Sequence, residues 1–174
     1  MPHDVNLKRR SFLRGAIQQQ HLPRLPWAIA DQDFLNGCSQ CNKCLDSCET
    51  QIIKRDKQGY PFVDFDQDEC TFCQKCSDVC PENLFVEAKQ TTPWHGEFTI
   101  SEKCLAKNNI YCQSCRDVCD ENAITFQHNG HAIAKPNLTI KDCSQCGACV
   151  SVCPQDAIAF QLAELSQDKG KTSL

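Results

Sequence analysis

The chain has 174 residues, 16 of them cysteine, and a formal net charge of -4. Its longest apolar runs, such as Trp27 to Ala30 and Ala157 to Phe160, fall far short of the ~20 residues that a membrane-crossing helix needs. Basic residues are few outside the amino-terminal segment and Phe, Trp and Tyr amount to 7%, so the sequence offers neither a phosphate-tracking surface nor a stacking platform for nucleic acid.

Residues 1–30 read as a basic arm. Within residues 1–26, Lys8, Arg9, Arg10, Arg14 and Arg24 stand against Asp4, so the excess negative charge falls on the remainder of the chain. The run Lys8 to Gly15 has the outline of a twin-arginine export signal. A signal would continue into an apolar region of about 7 to 15 residues, and here Gln18, Gln19, Gln20, His21, Pro23 and Arg24 interrupt it. Ala28-Ile29-Ala30 has only the superficial form of a cleavage site. The expectation is retention in the cytoplasm, with Leu7, Phe12, Leu13, Ala16 and Ile17 forming one apolar stripe of a short helix. Arg9, Arg10, Phe12, Leu13 and Arg14 are the residues expected to bind a partner, the apolar stripe in a groove and the arginines at its acidic rim.

The cysteines fall into four quartets with none left over. Cys38, Cys41, Cys44 and Cys48 are spaced C-x2-C-x2-C-x3-C, as are Cys70, Cys73, Cys76 and Cys80, and Cys143, Cys146, Cys149 and Cys153. Cys104, Cys112, Cys115 and Cys119 form a stretched version, C-x7-C-x2-C-x3-C. Three thiolates at such intervals wrap one corner of a cubane while the fourth is aimed elsewhere, the spacing of bacterial 4Fe-4S ferredoxins. Structural zinc sites usually join two separated C-x2-C pairs, so a third cysteine two residues on is surplus to that design. A disulfide scaffold would need an exported chain. The expected cofactors are therefore four 4Fe-4S clusters. Coordinated thiolates would take the formal charge of the loaded chain to about -12.

In a two-cluster ferredoxin the last cysteine of each motif crosses to the other cluster. The cages expected here are Cys38, Cys41, Cys44 with Cys80; Cys70, Cys73, Cys76 with Cys48; Cys104, Cys112, Cys115 with Cys153; and Cys143, Cys146, Cys149 with Cys119. The fold class is α+β: two tandem two-cluster modules of short antiparallel hairpins and small helices, at residues 31–92 and 93–163, followed by a polar tail at 164–174. Ile52 and Ile53, then Lys57-Gln58-Gly59, then Phe62, Val63 and Phe65 predict one hairpin. Ala123, Ile124 and Phe126, then His128-Asn129-Gly130, then Ala132, Ile133, Leu138 and Ile140 predict its counterpart. Phe98 to Ile100 should pair with Ala157 to Phe160. Modules of this size bury little apolar surface, so the clusters are expected to be structural as well as functional.

Two departures from the ferredoxin pattern stand out. Pro81 and Pro154 follow their quartets, but Glu49 follows Cys48 and Asp120 follows Cys119, adding negative charge beside two clusters. Residues Leu105 to Tyr111 enlarge the third quartet, either as a solvated insertion or as a docking surface through Lys107, Asn108 and Tyr111. No enzymatic site is legible: the five histidines are scattered, no cysteine remains as a nucleophile and there is no Gly-rich nucleotide loop.

The arm sequence KRRSFLRG, the order of the quartets, the prolines missing after the first and third, and the stretch CLAKNNIYCQSC together resemble the NapF family, the ferredoxin-type accessory proteins of the periplasmic nitrate reductase system. The resemblance covers nearly the whole chain. It implies a cytoplasmic 4Fe-4S carrier, not an enzyme, that binds the precursor of the molybdenum-containing subunit NapA and helps to mature it before export. Two other functions fit the cysteine pattern alone: a general polyferredoxin serving a soluble redox enzyme, and an exported iron-sulfur subunit of a quinol-oxidising chain. The redox donor is unspecified.

Overall fold

The computed structural model of the protein describes residues 22–88 and 92–163. Arg9, Arg10, Phe12, Leu13 and Arg14, and the tail from residue 164, lie outside the described residues.

The chain runs through helix α1 (Asp31–Gly37) and the one-turn helix α2 (Lys43–Asp46) into strands β1 (Ile53–Arg55) and β2 (Pro61–Val63), then one-turn α3 (Lys75–Asp78). It continues through β3 (Gly96–Ile100), one-turn α4 (Ser114–Asp117), β4 (Ile124–Gln127), β5 (Lys135–Leu138), a 3-10 turn (Ile140–Asp142), one-turn α5 (Ala148–Ser151) and β6 (Ile158–Leu162). The strands form three antiparallel pairs, β1-β2, β3-β6 and β4-β5. Each one-turn helix carries the third cysteine of a quartet, so ligand loops and hairpins alternate along the chain. Among the described residues no helix is long and apolar enough to cross a membrane.

The predicted hairpins form. Ile53 faces Val63, with the turn closed by Gly59 at φ +91°, a left-handed conformation that glycine takes without Cβ strain. Phe98 faces Phe160 and Ile100 faces Ile158 across β3-β6. In β4-β5, Phe126 faces Pro136, and Pro136 is tolerated because a two-stranded ribbon has a free edge for the residue that lacks an N-H. Ala132, Ile133 and Ile140, expected in this hairpin's strands, lie outside them. The counterpart of β3-β6 in the first half shrinks to one bridge, Ala28 with Phe85, held by Ile29 N-H to Leu84 O at 2.9 Å and Val86 N-H to Trp27 O at 2.9 Å.

Residues 22–30, grouped with the arm on sequence grounds, pack against the first half. Leu25 is 1% exposed and Trp27 is buried. Arg24 bridges Asp31 at 2.6 Å and Asp56 at 3.1 Å, and the Val63 N-H donates to Pro23 O at 2.8 Å. The physical reason is that Leu25 joins Ile52, Ile53 and Val63 of the first hairpin in one buried cluster, Trp27 packs edge-on against Phe72 at 6.1 Å, and Arg24, though basic, is spent inside the fold.

One core crosses the expected boundary at residue 92. Leu25, Phe34, Ile52, Ile53, Val63, Phe65 and Leu84 join Trp94, Phe98 and Ile158 in a single buried cluster. Phe65 meets Trp94 and Phe98 edge-on, both at 5.5 Å between ring centres, a geometry that the ring quadrupoles favour. Trp94 Nε1-H donates to Arg24 O at 2.7 Å, satisfying the indole while its ring is buried.

Candidate iron-sulfur sites

The ligand loops owe their shape to residues held at positive φ. In the first quartet Gln40 and Asn42 have φ of 53° and 67°, in the second Phe72 and Gln74 have 54° and 62°, and in the fourth Gln145 and Gly147 have 68° and 89°. These residues flank the middle cysteine, itself at negative φ, on each side, and a backbone whose φ alternates in sign in this way can turn successive N-H groups to one side. Such N-H concavities bind anions and recur at Fe-S sites. The N-H groups of Lys43, Phe72, Gln145 and Ala148 lie on the thiols of Cys41, Cys70, Cys143 and Cys146 respectively, and favour their ionised form. The third quartet departs: Gln113 has φ -137° and Tyr111 is not left-handed.

The loops surround cavities. One is lined by Cys38, Cys41, Cys44 and Cys80 with Leu25, Phe34 and Leu84 behind them, and another by Cys104, Cys112, Cys115 and Cys153 with Ile100, Phe126 and Ile158. A third holds Cys119, Cys143, Cys146 and Cys149, and Cys70 as well. The remaining set is seen through its electrostatics. Burial pushes the Cys70 thiol up to about 11, with Cys48 and Cys73 among the neighbours that add to the rise. Burial likewise pushes Cys76 up to about 12, helped by Cys70, Cys44 and Cys73.

The same crowding acts in the second half. The thiols of Cys115 and Cys149 rise to about 11 and 12, first through burial and then through nearby thiols, Cys104, Cys112 and Cys153 around the former and Cys143, Cys146, Cys115 and Cys119 around the latter. Thiols crowded in this way resist ionising together unless a cationic core compensates them. Sulfur-only ligands, apolar walls and inward N-H groups are what a 4Fe-4S core requires, so the residues fit the group. Among the described residues no three His, Cys, Asp or Glu side chains converge on one point as a single metal ion needs.

Glu49 and Asp120 turn out to differ. Glu49 is paired with Lys75 of α3, so its charge is partly neutralised at the surface. The position matching Lys75 in the fourth quartet is Ala148, and among the described residues no salt bridge joins Asp120 to a cation.

The Leu105–Tyr111 segment is anchored rather than loose. Lys135 Nζ, on β5, donates to Ala106 O at 2.8 Å, Lys107 O at 2.9 Å and Asn109 Oδ1 at 2.7 Å, which uses all three ammonium protons. Lys107 Nζ donates to Ile100 O at 2.6 Å, and Asn108 Nδ2 to Glu102 O and Cys104 O at 2.7 and 2.9 Å. Lys107 and Asn108 therefore hold the loop; Ile110 and Tyr111 are its exposed face, at 54% and 73%. The role of Lys135 was not legible in sequence because it lies about 28 residues from its acceptors.

Comparison with known proteins agrees with this chemistry. The 4Fe-4S dicluster domain matches residues 37–84 and again 110–157. The second match begins after Cys104, at the stretched quartet. With two such domains and sixteen cysteines, all but Cys104 inside the matched residues, the chain is an iron-sulfur carrier holding four 4Fe-4S clusters, and not an enzyme. It is 37% identical over 141 residues to "Ferredoxin-type protein NapF" of Escherichia coli (strain K12), covering 80% of this chain and 85% of that protein. It is 40% identical over 150 residues to the protein of the same name from Haemophilus influenzae, with the same shares covered. The chain belongs to the NapF family of ferredoxin-type proteins.

Proposed function

We propose that this protein is a cytoplasmic electron carrier of the periplasmic nitrate reductase system, acting on the precursor of the catalytic subunit NapA before its export. Family membership is the observation that carries the reading. The packing of residues 22–30 supports it against export with a cleaved leader. A cut near Ala30 would remove Leu25, Trp27 and Arg24 from the core and the ion-pair cluster. The basic arm, with Arg9, Arg10, Phe12, Leu13 and Arg14, is the part that engages the partner. Arg24 is excluded from that role by its internal pairs. The experiment is recovery of the NapA precursor with the tagged full-length chain from cytosol. Deletion of residues 1–20, or Phe12→Asp with Leu13→Asp, should abolish recovery and leave iron content unchanged. Equal recovery of unrelated redox enzymes would favour a general polyferredoxin, and a periplasmic chain shortened near Ala30 would overturn the reading.

The sixteen cysteines are proposed to ligate in the crossed sets: a first site of Cys38, Cys41, Cys44 and Cys80; a second of Cys70, Cys73, Cys76 and Cys48; a third of Cys104, Cys112, Cys115 and Cys153; and a fourth of Cys143, Cys146, Cys149 and Cys119. The lining of the cavities and the mutual influence of the thiols support this grouping. When bound, each cluster supplies one-electron redox chemistry. The chain's own residues hold the sulfurs apart, direct N-H groups at them and exclude water with Phe34, Leu84, Phe126 and Ile158. About 16 iron atoms per chain after anaerobic reconstitution is the expected content, and about 8 would rule out one pair of sites.

A further inference from the structure

We propose that the four sites form one series in the order first, second, fourth, third, joined between the two halves at the main chain of Cys70 and Cys146. The proposal rests on the crossed ligand sets. A chain of two independent modules would leave the junction between sites undefined.

Three contacts set the order. Helix α2, bearing Cys44, packs on α3, bearing Cys76, which places the first site beside the second; α4, bearing Cys115, packs on α5, bearing Cys149, which places the third beside the fourth. Between the halves, the Cys70 N-H donates to Cys146 O at 2.8 Å, so a ligand of the second site is bonded directly to a ligand of the fourth. The cavity of the fourth site is lined by Glu69, Cys70, Thr71 and Phe72 from the first half. By contrast the first-site cavity is lined only by residues between 25 and 85, and the third-site cavity only by residues between 100 and 158. These two are the ends of the series.

The junction is packed to be rigid. Gly147, next to Cys146, lies under Phe65, and a Cβ built there would come within 2.0 Å of the Phe65 ring. Its φ of +89° also disfavours any other residue. Phe65 is fixed in turn by Trp94, Phe98 and Phe160. Glu69 adds a charge at the junction: it belongs to the first half, adjoins Cys70, and lines the fourth-site cavity together with Cys146 of the second half.

The test uses the full-length reconstituted chain, reduced by dithionite as a one-electron donor, one electron per site. Cys41→Ser with Cys44→Ser and Cys112→Ser with Cys115→Ser together leave the second and fourth sites. Cys73→Ser with Cys76→Ser and Cys146→Ser with Cys149→Ser together leave the first and third. Each set should retain about 8 iron atoms. The first set should give an EPR spectrum broadened by spin-spin coupling, and the second set two independent signals. Correct iron with no coupling in the first set, or with coupling in the second, overturns the series and leaves the ligand sets standing. Retention of the full iron content by a chain stripped of two thiols at each of two sites overturns the ligand sets themselves. Because multiple ligand changes can prevent folding, Glu69→Gln in the otherwise intact chain provides a second route. Removing this charge should raise two of the four midpoint potentials together, those of the second and fourth sites. A rise confined to one site overturns the junction.

Discussion

The two halves of the molecule solve the same ligand problem with different amounts of apolar core. The first buries Leu25, Trp27, Phe34, Ile52, Ile53, Val63, Phe65 and Leu84, whereas the second adds to Trp94, Phe98, Ile124 and Ile158 only the alanines Ala106, Ala123, Ala134 and Ala157. Alanine contributes little transfer free energy, against about 1.5 to 3 kcal/mol for a buried Leu, Ile or Phe side chain. The second half therefore depends more on its metal and on the aromatic junction with the first. The difference teaches that repeated motifs need not be equally autonomous.

Removal of iron is the largest perturbation of this comparison. Chelation should unfold the second half first and then the chain, because ligation and folding are coupled where the core is small. Hydrogen exchange followed by mass spectrometry should show β4 and β5 losing protection before β1 and β2. Equal protection of both hairpins in the iron-free protein would erase the distinction drawn between the halves.

A change confined to the first half comes next. Asp56 accepts from the N-H groups of Gln58 and Tyr60, both at 2.9 Å, and from Arg24. Burial pushes its carboxyl up, but these donors outweigh burial and hold it below the ordinary range. A depressed pKa contributes stability that is present above the unfolded value and lost as pH falls through the folded one. Asp56→Ala should cost about 2 kcal/mol at neutral pH. In chemical denaturation that cost should shrink toward zero as the parent protein is taken down through the depressed Asp56 pKa. A penalty independent of pH would assign the effect to packing.

In the second half, Lys135→Met should release the stretched loop, costing about 1 to 2 kcal/mol. Proteolysis should then cut near residues 107–111 and the third site should lose iron preferentially, with the first half unaffected. Uniform iron loss would show that Lys135 supports the fold as a whole.

The smallest effects concern potentials. Lys75→Gln leaves Glu49 uncompensated and should lower the potential of the second site, whereas Asp120→Asn should raise that of the fourth, each on the order of tens of millivolts because the charges are exposed and screened. The third site, whose loop lacks the left-handed pair found in the other three, keeps an N-H donor from outside that loop, since Ala157 N-H donates to Cys153 Sγ at 3.3 Å. Potentiometric EPR titration separates these shifts.

Cysteine spacing by itself determined the cofactor class, because the intervals between thiols dictate how many can reach one cubane. The hairpins were legible too, through alternating apolar residues around Gly59 and Gly130. Those signals are local, and a single segment carries them. What joins distant segments was decided only by the tertiary structure: Arg24 and Leu25 entering the core from a stretch that reads as a basic arm, Lys135 closing a loop far away in sequence, Lys75 neutralising Glu49, and Phe65 seated on Gly147. Burial and hydrogen-bond geometry depend on which surfaces meet, and no local pattern around Cys70 or Cys146 states that their backbones bond across the two halves.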